Sequence, residues 1–328
     1  MGLRSLYATY RRRRLYGRCR ASDLGVVILR YHSVGQARDV EGYLDPGLSV
    51  SPERFRQQIR ILAANFRFGK PDDLAARLAG EDDGKPLAVL TFDDGYRDNH
   101  DVAMPILLEE GAVAAFYITT GPLARGRGLW ISEIWRLTRT MPPGKIDLPP
   151  EDLRFMNGDS SGRYSYRRRL TRWMSRITEE TREHALDYLA SRAGIPRGEG
   201  LGASFVTPDQ IRAMHSAGMT IGAHTVSHPH LDHLAPEHHG RELADSKQAL
   251  EDILGNEVRH FAYPNPGGGG SILPEAVASV RAAGFQTAVT STPSPMTPDA
   301  DLLRLPRVGV YRGPQEKTLF GVLARGMA

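Results

Sequence analysis

The chain has 328 residues, 41% of them hydrophobic, so it can bury a sizeable core as one large domain or two modest ones. Its formal charge of +4 comes from 42 Lys and Arg against 38 Asp and Glu, a near balance that excludes a nucleic-acid footprint spread over the whole chain. The single cysteine, Cys19, excludes an intrachain disulfide and fits a reducing compartment, and no apolar run approaches the roughly 18 residues of a membrane span. The basic excess is local. Residues 1–20 hold Arg4, the run Arg11 to Arg14, Arg18 and Arg20 interleaved with Leu6, Tyr7, Tyr10, Leu15 and Tyr16, with no acid among them. That composition suits peripheral contact with an anionic membrane, and a solvated basic tail is the plainer alternative. No apolar h-region follows the basic residues, so the expected location is cytoplasmic, peripheral at the inner membrane face.

From residue 26 onward strand-like and helix-like segments alternate, which argues for an α/β fold with a parallel sheet and crossover helices. The first strand is 26–31. A helix over 52–65 follows, with Ser51 as N-cap and Pro52 in the first turn. A second apolar strand, 87–92, precedes a helix around 104–110 and a strand at 113–119. Residues 122–205 break the rhythm: Pro142, Pro143, Pro149 and Pro150 cluster there beside a basic helical stretch at 166–177, so the segment reads as a mostly helical insertion capping the site. Next come a helix opened by Thr207, Pro208 and Gln210 in a capping-box arrangement, a strand at 220–223 and a long helix over 236–254. A strand at 260–263, a helix at 273–283 and a strand at 286–290 complete the series. The glycine run 267–270 is a loop beside a strand end, where backbone can approach a ligand closely. The expected organisation is a basic tail at 1–22 and one domain over 23–328.

The stretch TFDDGYRDN, residues 91–99, places Asp93 and Asp94 at the C-terminal edge of the strand 87–92. In a parallel α/β fold that edge gathers ligands and chemistry, although Asp-Asp-Gly is also ordinary turn chemistry. In IGAHTVSHPHL, residues 221–231, His224 and His228 follow another strand four positions apart, so both imidazoles reach one point if the backbone turns like a helix. A catalytic zinc uses three protein ligands and an open fourth position, and two histidines with one aspartate supply such a set. A histidine-rich polar loop is the alternative, since H-x-x-x-H recurs by chance.

Together these stretches resemble the polysaccharide deacetylases of carbohydrate esterase family 4, the NodB homology domain, whose first motif is T-F-D-D-G and second H-[ST]-x-x-H. Both are matched without substitution and in order, over a resemblance covering about residues 26–120 and 205–310. It implies a distorted (β/α)7 barrel with the inserted helical segment outside it. It further implies that Asp93 is the general base, with Asp94, His224 and His228 holding one divalent metal, Zn2+ foremost and Co2+, Ni2+ or Fe2+ as alternatives. The segment FAYPNP, 261–266, resembles the third motif in its F-x-Y-P form, which makes Tyr263 a substrate-facing residue and Asn265 the donor of a backbone N–H to the oxyanion. Asn265 stands where tyrosine is usual, and Pro266 where glycine is usual.

In family members with an R-x-P-Y motif an arginine orients the catalytic aspartate, and Ala262 occupies that position here. Arg307, in RLPRVGV, is expected to supply the charge from another strand; a structural ion pair is the alternative. The family's last motif, L-x-H, supplies a histidine acid, but no histidine follows Gln286. His32, in RYHSV, resembles the Y-H of an exopolysaccharide-acting branch and is the candidate acid, against a purely structural role. Trp130 and Trp135 open the insertion, and an indole there can stack on a sugar face, although core packing is the default for tryptophan; Trp130 is the expected substrate contact. The resemblance implies a hydrolase that removes an N-acetyl group from an amino sugar in a polysaccharide, oligosaccharide or glycan precursor. The rivals are a deformylase or other C–N hydrolase acting on a lipid-linked or small substrate, and a non-catalytic carbohydrate-binding protein.

Overall fold

The computed structural model describes residues 25–36, 42–81, 84–142, 144–145, 148, 154–155, 160–265, 272–294 and 296–311. The basic stretch at 1–20 and the glycine run 267–270 lie outside them. The main sheet has eight parallel strands: β1 (Val26–Tyr31), β2 (Arg67–Gly69), β3 (Leu87–Phe92), β4 (Ala115–Ile118), β5 (Thr220–Ala223), β6 (His260–Ala262), β7 (Thr287–Val289) and β8 (Val308–Gly309). Their order is β7-β6-β5-β4-β3-β1-β8, with β2 on the lower half of the β3 edge whose upper half pairs with β4. β1 and β3 run in register from Val26 opposite Leu87 to Tyr31 opposite Phe92. The sheet curls until its ends nearly meet: Val289 bridges to Leu305, just before β8, and β8 pairs with β1. This is a distorted β/α barrel, as the resemblance implies.

Side-chain alternation along β1 explains the two apolar layers. Val27, Leu29 and Tyr31 face outward onto Phe55, Ile59 and Leu62 of the helix Pro52–Ala63. Each of those three helix side chains is fully buried, a contribution of about 1.5–3 kcal/mol apiece. Val26 and Ile28 face the lumen with Leu87, Val89, Tyr117 and Leu305. The helix is shorter than the 52–65 expected, because Asn65 turns its side-chain amide back to the Ile61 carbonyl at 2.6 Å and the chain enters β2. Its Ser51 cap is present, and so is the Thr207–Gln210 capping box on the helix Pro208–Ser216. The helix expected over 236–254 is three pieces, Pro236–Gly240, a π-helical turn Arg241–Asp245 and Ser246–Leu254. The short strands β2 and β8 have too few residues to leave a sequence pattern.

Within 122–205 the helices Trp130–Thr140, Ser160–Met174 and Glu179–Ala193 pack on one another through a separate apolar cluster that includes Ile134, Leu170 and Leu186. The chain rejoins the barrel where Phe205 bridges to Tyr96, so this helical unit ends against the loop that carries the paired aspartates. Among the described residues, no helix is long and apolar enough to cross a membrane.

Candidate active site

Beyond β3 the chain turns sharply: Asp94 has φ 77° and Gly95 φ 81°, so two consecutive residues are left-handed. Glycine adopts that conformation freely, whereas at Asp94 it is uncommon and costs on the order of 1–3 kcal/mol. The turn is held by Val206, whose N–H donates to the Gly95 carbonyl at 3.0 Å, and by Arg97, whose N–H donates to Ser204 at 2.8 Å. It sends the two adjacent carboxylates in different directions.

Asp93 meets Arg307. The guanidinium grips the carboxylate with two bonds, Nη1 to Oδ1 at 2.6 Å and Nη2 to Oδ2 at 2.7 Å. Arg307 is itself fixed by Nε donating to the Thr290 carbonyl at 2.8 Å and Nη1 to Thr91 Oγ1 at 3.0 Å. Both partners are buried, 3% and 1% exposed. Burial by itself pushes the Asp93 carboxyl up, but the Arg307 charge, then His224 and the Arg307 hydrogen bonds, outweigh it and bring it down to about 2.

Asp94 meets the two histidines. Its Oδ1 lies 3.4 Å from His224 Nε2 and 3.2 Å from His228 Nε2, and ligand-type atoms of all three residues fall within 4.8 Å of one another. These separations exceed the 2.7–2.9 Å of a charge-assisted bond, and Oδ1 is buried without a hydrogen-bond partner. Burial raises the Asp94 carboxyl, yet the two imidazoles hold it well below the usual carboxylate range. Buried oxygen and nitrogen donors converging in this way fit a divalent cation. His224 Nδ1 lies 2.7 Å from the Ala262 carbonyl, which fixes the proton on Nδ1 and turns the Nε2 lone pair toward Asp94.

The histidines do not converge by a helical turn. Thr225 and His228 are left-handed, at φ 65° and 57°, and the loop folds back on itself. Thr225 Oγ1 accepts the His228 N–H at 3.1 Å, and the buried Glu242 carboxylate accepts Val226 N at 2.8 Å, Ser227 N at 2.8 Å and Ser227 Oγ at 2.6 Å. Glu242 sits in the π-helical turn Arg241–Asp245, which no sequence period announces. Glu242→Ala leaves two backbone donors unsatisfied, so metal affinity should fall about 10- to 100-fold, as for other groups that orient ligands. Metal titration of the purified variant measures this; unchanged affinity would show that the loop holds its shape without the carboxylate.

His32, Asp93, Asp94, His224, His228 and Asn265 all line one cavity of about 570 Å3. Asn99 Nδ2 donates to the His32 carbonyl at 2.8 Å, and Asp98 accepts from Ser33 Oγ at 2.5 Å and Val34 N at 3.2 Å, tying the end of β1 to the aspartate loop. Burial in the site lowers the His32 imidazole to about 4, against the pull of Asp94, so it is neutral at neutral pH.

Two expected contacts lie elsewhere. Tyr263 is 1% exposed, packs edge-on against Phe261 and donates its hydroxyl to the Leu303 carbonyl at 3.0 Å, so its ring belongs to the helix-facing layer and not to the cavity. Trp130 is buried in the helical unit, with Nε1 donating to the His228 carbonyl at 3.3 Å; it supports the histidine loop from behind. Trp135 lines the cavity instead. Sequence reading missed Arg30, Tyr96, Tyr164, Arg168 and Tyr311 on the same walls. For Arg30 a signal existed: it has the lumen-facing parity of Val26 and Ile28.

A curled parallel sheet with this carboxylate and imidazole set at its C-terminal mouth defines a hydrolytic barrel enzyme. A family model described as Polysaccharide deacetylase matches residues 80–288, well over half of the chain, and the chain belongs to that family. Its members are metal-dependent hydrolases acting on carbon–nitrogen bonds. The chain is 23% identical over 304 residues to the provisionally named polysaccharide deacetylase YxkH of Bacillus subtilis strain 168, covering 92% of this chain and 76% of that one. Among solved structures it is similar to the Streptococcus pyogenes deacetylase PplD in complex with acetate, at TM-score 0.61 and 20% identity over 91% of this chain and 97% of that one. IcaB from Ammonifex degensii aligns at TM-score 0.55 and 20% identity, covering 92% and 97%. These two likenesses concern the fold.

Proposed function

We propose that the chain removes the N-acetyl group from an amino sugar within a glycan or glycan precursor, releasing acetate and a free amine. The observation that carries this reading is the split of adjacent carboxylates: Asp94 faces His224 and His228 while Asp93 is clamped by Arg307 beside it. A divalent cation, Zn2+ by the mixed nitrogen and oxygen donor set, would be held by Asp94, His224 and His228 and would supply a Lewis acid that acidifies water and polarises the acetamide carbonyl. Asp93 then takes the proton from the attacking water. Arg307 keeps that carboxylate ionised and aims it. As the tetrahedral carbon forms, the Asn265 backbone N–H is the proposed donor to its oxygen.

The C–N bond breaks only if its nitrogen gains a proton. His32 is the proposed courier. Burial keeps the His32 imidazole neutral, so it can accept the proton that Asp93 takes from water and pass it to the more basic leaving amine. Neither carboxylic acid nor imidazolium needs to exist before the water is deprotonated.

The depressed His32 pKa also has a stability consequence. An imidazole at about 6.5 when unfolded and about 4 when folded contributes stability that is complete above pH 6.5 and lost as pH falls toward 4. The metal-free wild type should therefore lose more melting temperature between pH 7 and pH 4.5 than His32→Gln does. Parallel melting curves for the two proteins would discard the buried neutral imidazole.

The function itself is tested by acetate release from N-acetylated amino-sugar oligosaccharides, with and without chelator. Absence of release from metal-loaded protein would favour a non-catalytic binding protein. Formate in place of acetate from N-formylated analogues would favour the deformylase reading. Residues 1–20 lie outside the described residues, and their basic and aromatic composition suits an anionic membrane surface near which a glycan precursor is carried.

A further inference from the structure

We infer that the cavity selects substrates bearing an anionic group, a carboxylate or a phosphate, which seats against Arg30 with Arg168 at the rim. The inference deepens the deacetylase reading and rests on it for the reaction, though not for binding.

Arg30 occupies a position the fold would normally fill with an aliphatic side chain. It follows Val26 and Ile28 on the lumen side of β1, opposite Gly309 of β8, and only 9% of it is exposed. A guanidinium so placed ordinarily has a carboxylate partner, because burying an unpaired charge costs several kcal/mol in effective terms. Here one Nη donates to the Tyr311 hydroxyl, Nε is buried without a partner, and no carboxylate lies within 4.0 Å among the described residues. The acids that share the cavity are committed elsewhere. Asp93 is held by Arg307, Asp94 faces the histidines, and Asp45 accepts the Gly47 N–H at 2.8 Å. Arg168, exposed on the helix Ser160–Met174, lies 5.9 Å from the Tyr164 ring centroid and likewise has no carboxylate partner among the described residues. Arg30 and Arg168 thus bring two positive charges to the cavity with no carboxylate partner among the described residues, an excess present before any cation is bound.

A neutral N-acetyl sugar leaves that excess uncompensated. A substrate carboxylate or phosphate compensates it, since the planar fork of arginine matches both. Arg30, on β1, and His32, just beyond its end, are two residues apart, roughly 7 Å at the usual rise of a strand. The anion therefore belongs to the same sugar residue as the acetamide or to its immediate neighbour.

The test uses three forms of one N-acetylated disaccharide: neutral, carrying a carboxylate, and carrying a phosphate monoester. With zinc-loaded wild type, kcat/KM should favour at least one anionic form on the order of tenfold or more, the scale of a charge-assisted hydrogen bond. Arg30→Gln should abolish most of that ratio, Arg30→Lys should restore part of it, and Arg168→Gln, at an exposed position that spares the core, should reduce it less. The carboxylate and phosphate arms tell the two sources apart. Equal kcat/KM for the three forms, or a ratio that Arg30→Gln leaves intact, would overturn the inference. If no form releases acetate, the deacetylase reading fails separately, and calorimetry on metal-free protein decides the inference: tighter binding of an anionic form than of the neutral one, lost in Arg30→Gln or weakened in Arg168→Gln, sustains it. Indistinguishable binding ends it.

Discussion

Asp93→Asn should reduce kcat by about 100- to 10,000-fold, the usual contribution of a positioned general base, while bound metal stays near one equivalent. The two effects separate because Asp93 and Asp94 point to different partners, Arg307 on one side and the histidines on the other. Stability moves as well. Removing the charge leaves Arg307, 1% exposed, with only the Thr290 carbonyl, Thr91 Oγ1 and one amide oxygen to accept its donors. Breaking a buried pair costs about 3–5 kcal/mol, and the retained bonds put Asp93→Asn at the low end. Arg307→Ala should lose turnover on the same scale with metal retained, because an unclamped Asp93 loses its aim and gains a raised pKa. Arg307→Lys should not rescue, since an ammonium cannot grip both carboxylate oxygens at once. Asp93→Leu with Arg307→Met should be folded more stably than either single change, with activity no lower than the worse of them. Full turnover in Arg307→Ala, measured as acetate release at saturating substrate, would reduce the pair to a structural tie.

How much of this site the sequence disclosed depends on whether a feature is local. T-F-D-D-G and H-T-V-S-H are each one continuous stretch, so their chemistry is readable in consecutive residues. The placement of both at parallel strand ends follows from apolar runs of the right length. The approach of Arg307 to Asp93 spans 214 residues and was only anticipated, from a family pattern in which the usual arginine position is Ala262. Its geometry depends on the curl that brings β8 beside β1, and a two-residue strand carries no periodic signal.

Aromatic side chains were harder to assign, because size says that they bury surface and not which surface. Tyr263 shares its parity with Phe261, whose ring lies in the helix-facing layer, while Ala262 faces the lumen; alternation alone would have turned Tyr263 away from the cavity. Trp130 and Trp135 are five residues apart on one helix, about 140° around its axis at 3.6 residues per turn, so both cannot face the same sugar. Packing of the helices within 122–205 decides that Trp135 is the one at the cavity. The support of the histidine loop by Glu242 was not legible at all, since it arises from a π-helical turn inside what reads as one continuous helix.

His228→Ala should abolish stoichiometric zinc binding and bring acetate release to the level of chelated wild type, because two remaining protein ligands fall short of the three that a catalytic zinc site uses. Asp94→Asn should also fail, for a different reason. An amide oxygen occupies the same space but supplies no charge, leaving the two imidazoles as the principal donors. Both outcomes are read by metal analysis after dialysis, together with turnover on restoring Zn2+, Co2+ or Ni2+. Thermal unfolding gives an independent reading. A ligand that binds only the folded state stabilises it by about 4.1 kcal/mol at a thousand times its dissociation constant, so wild type should melt higher with excess zinc. That rise should vanish in His228→Ala and persist in Asp93→Asn. The contrast is the decisive part: carboxylates adjacent in sequence, one indispensable to the ion and the other only to the proton. If Asp93→Asn lost the zinc-dependent rise while Asp94→Asn kept it, the two roles would have to be exchanged, and the Arg307 clamp would then be holding a ligand.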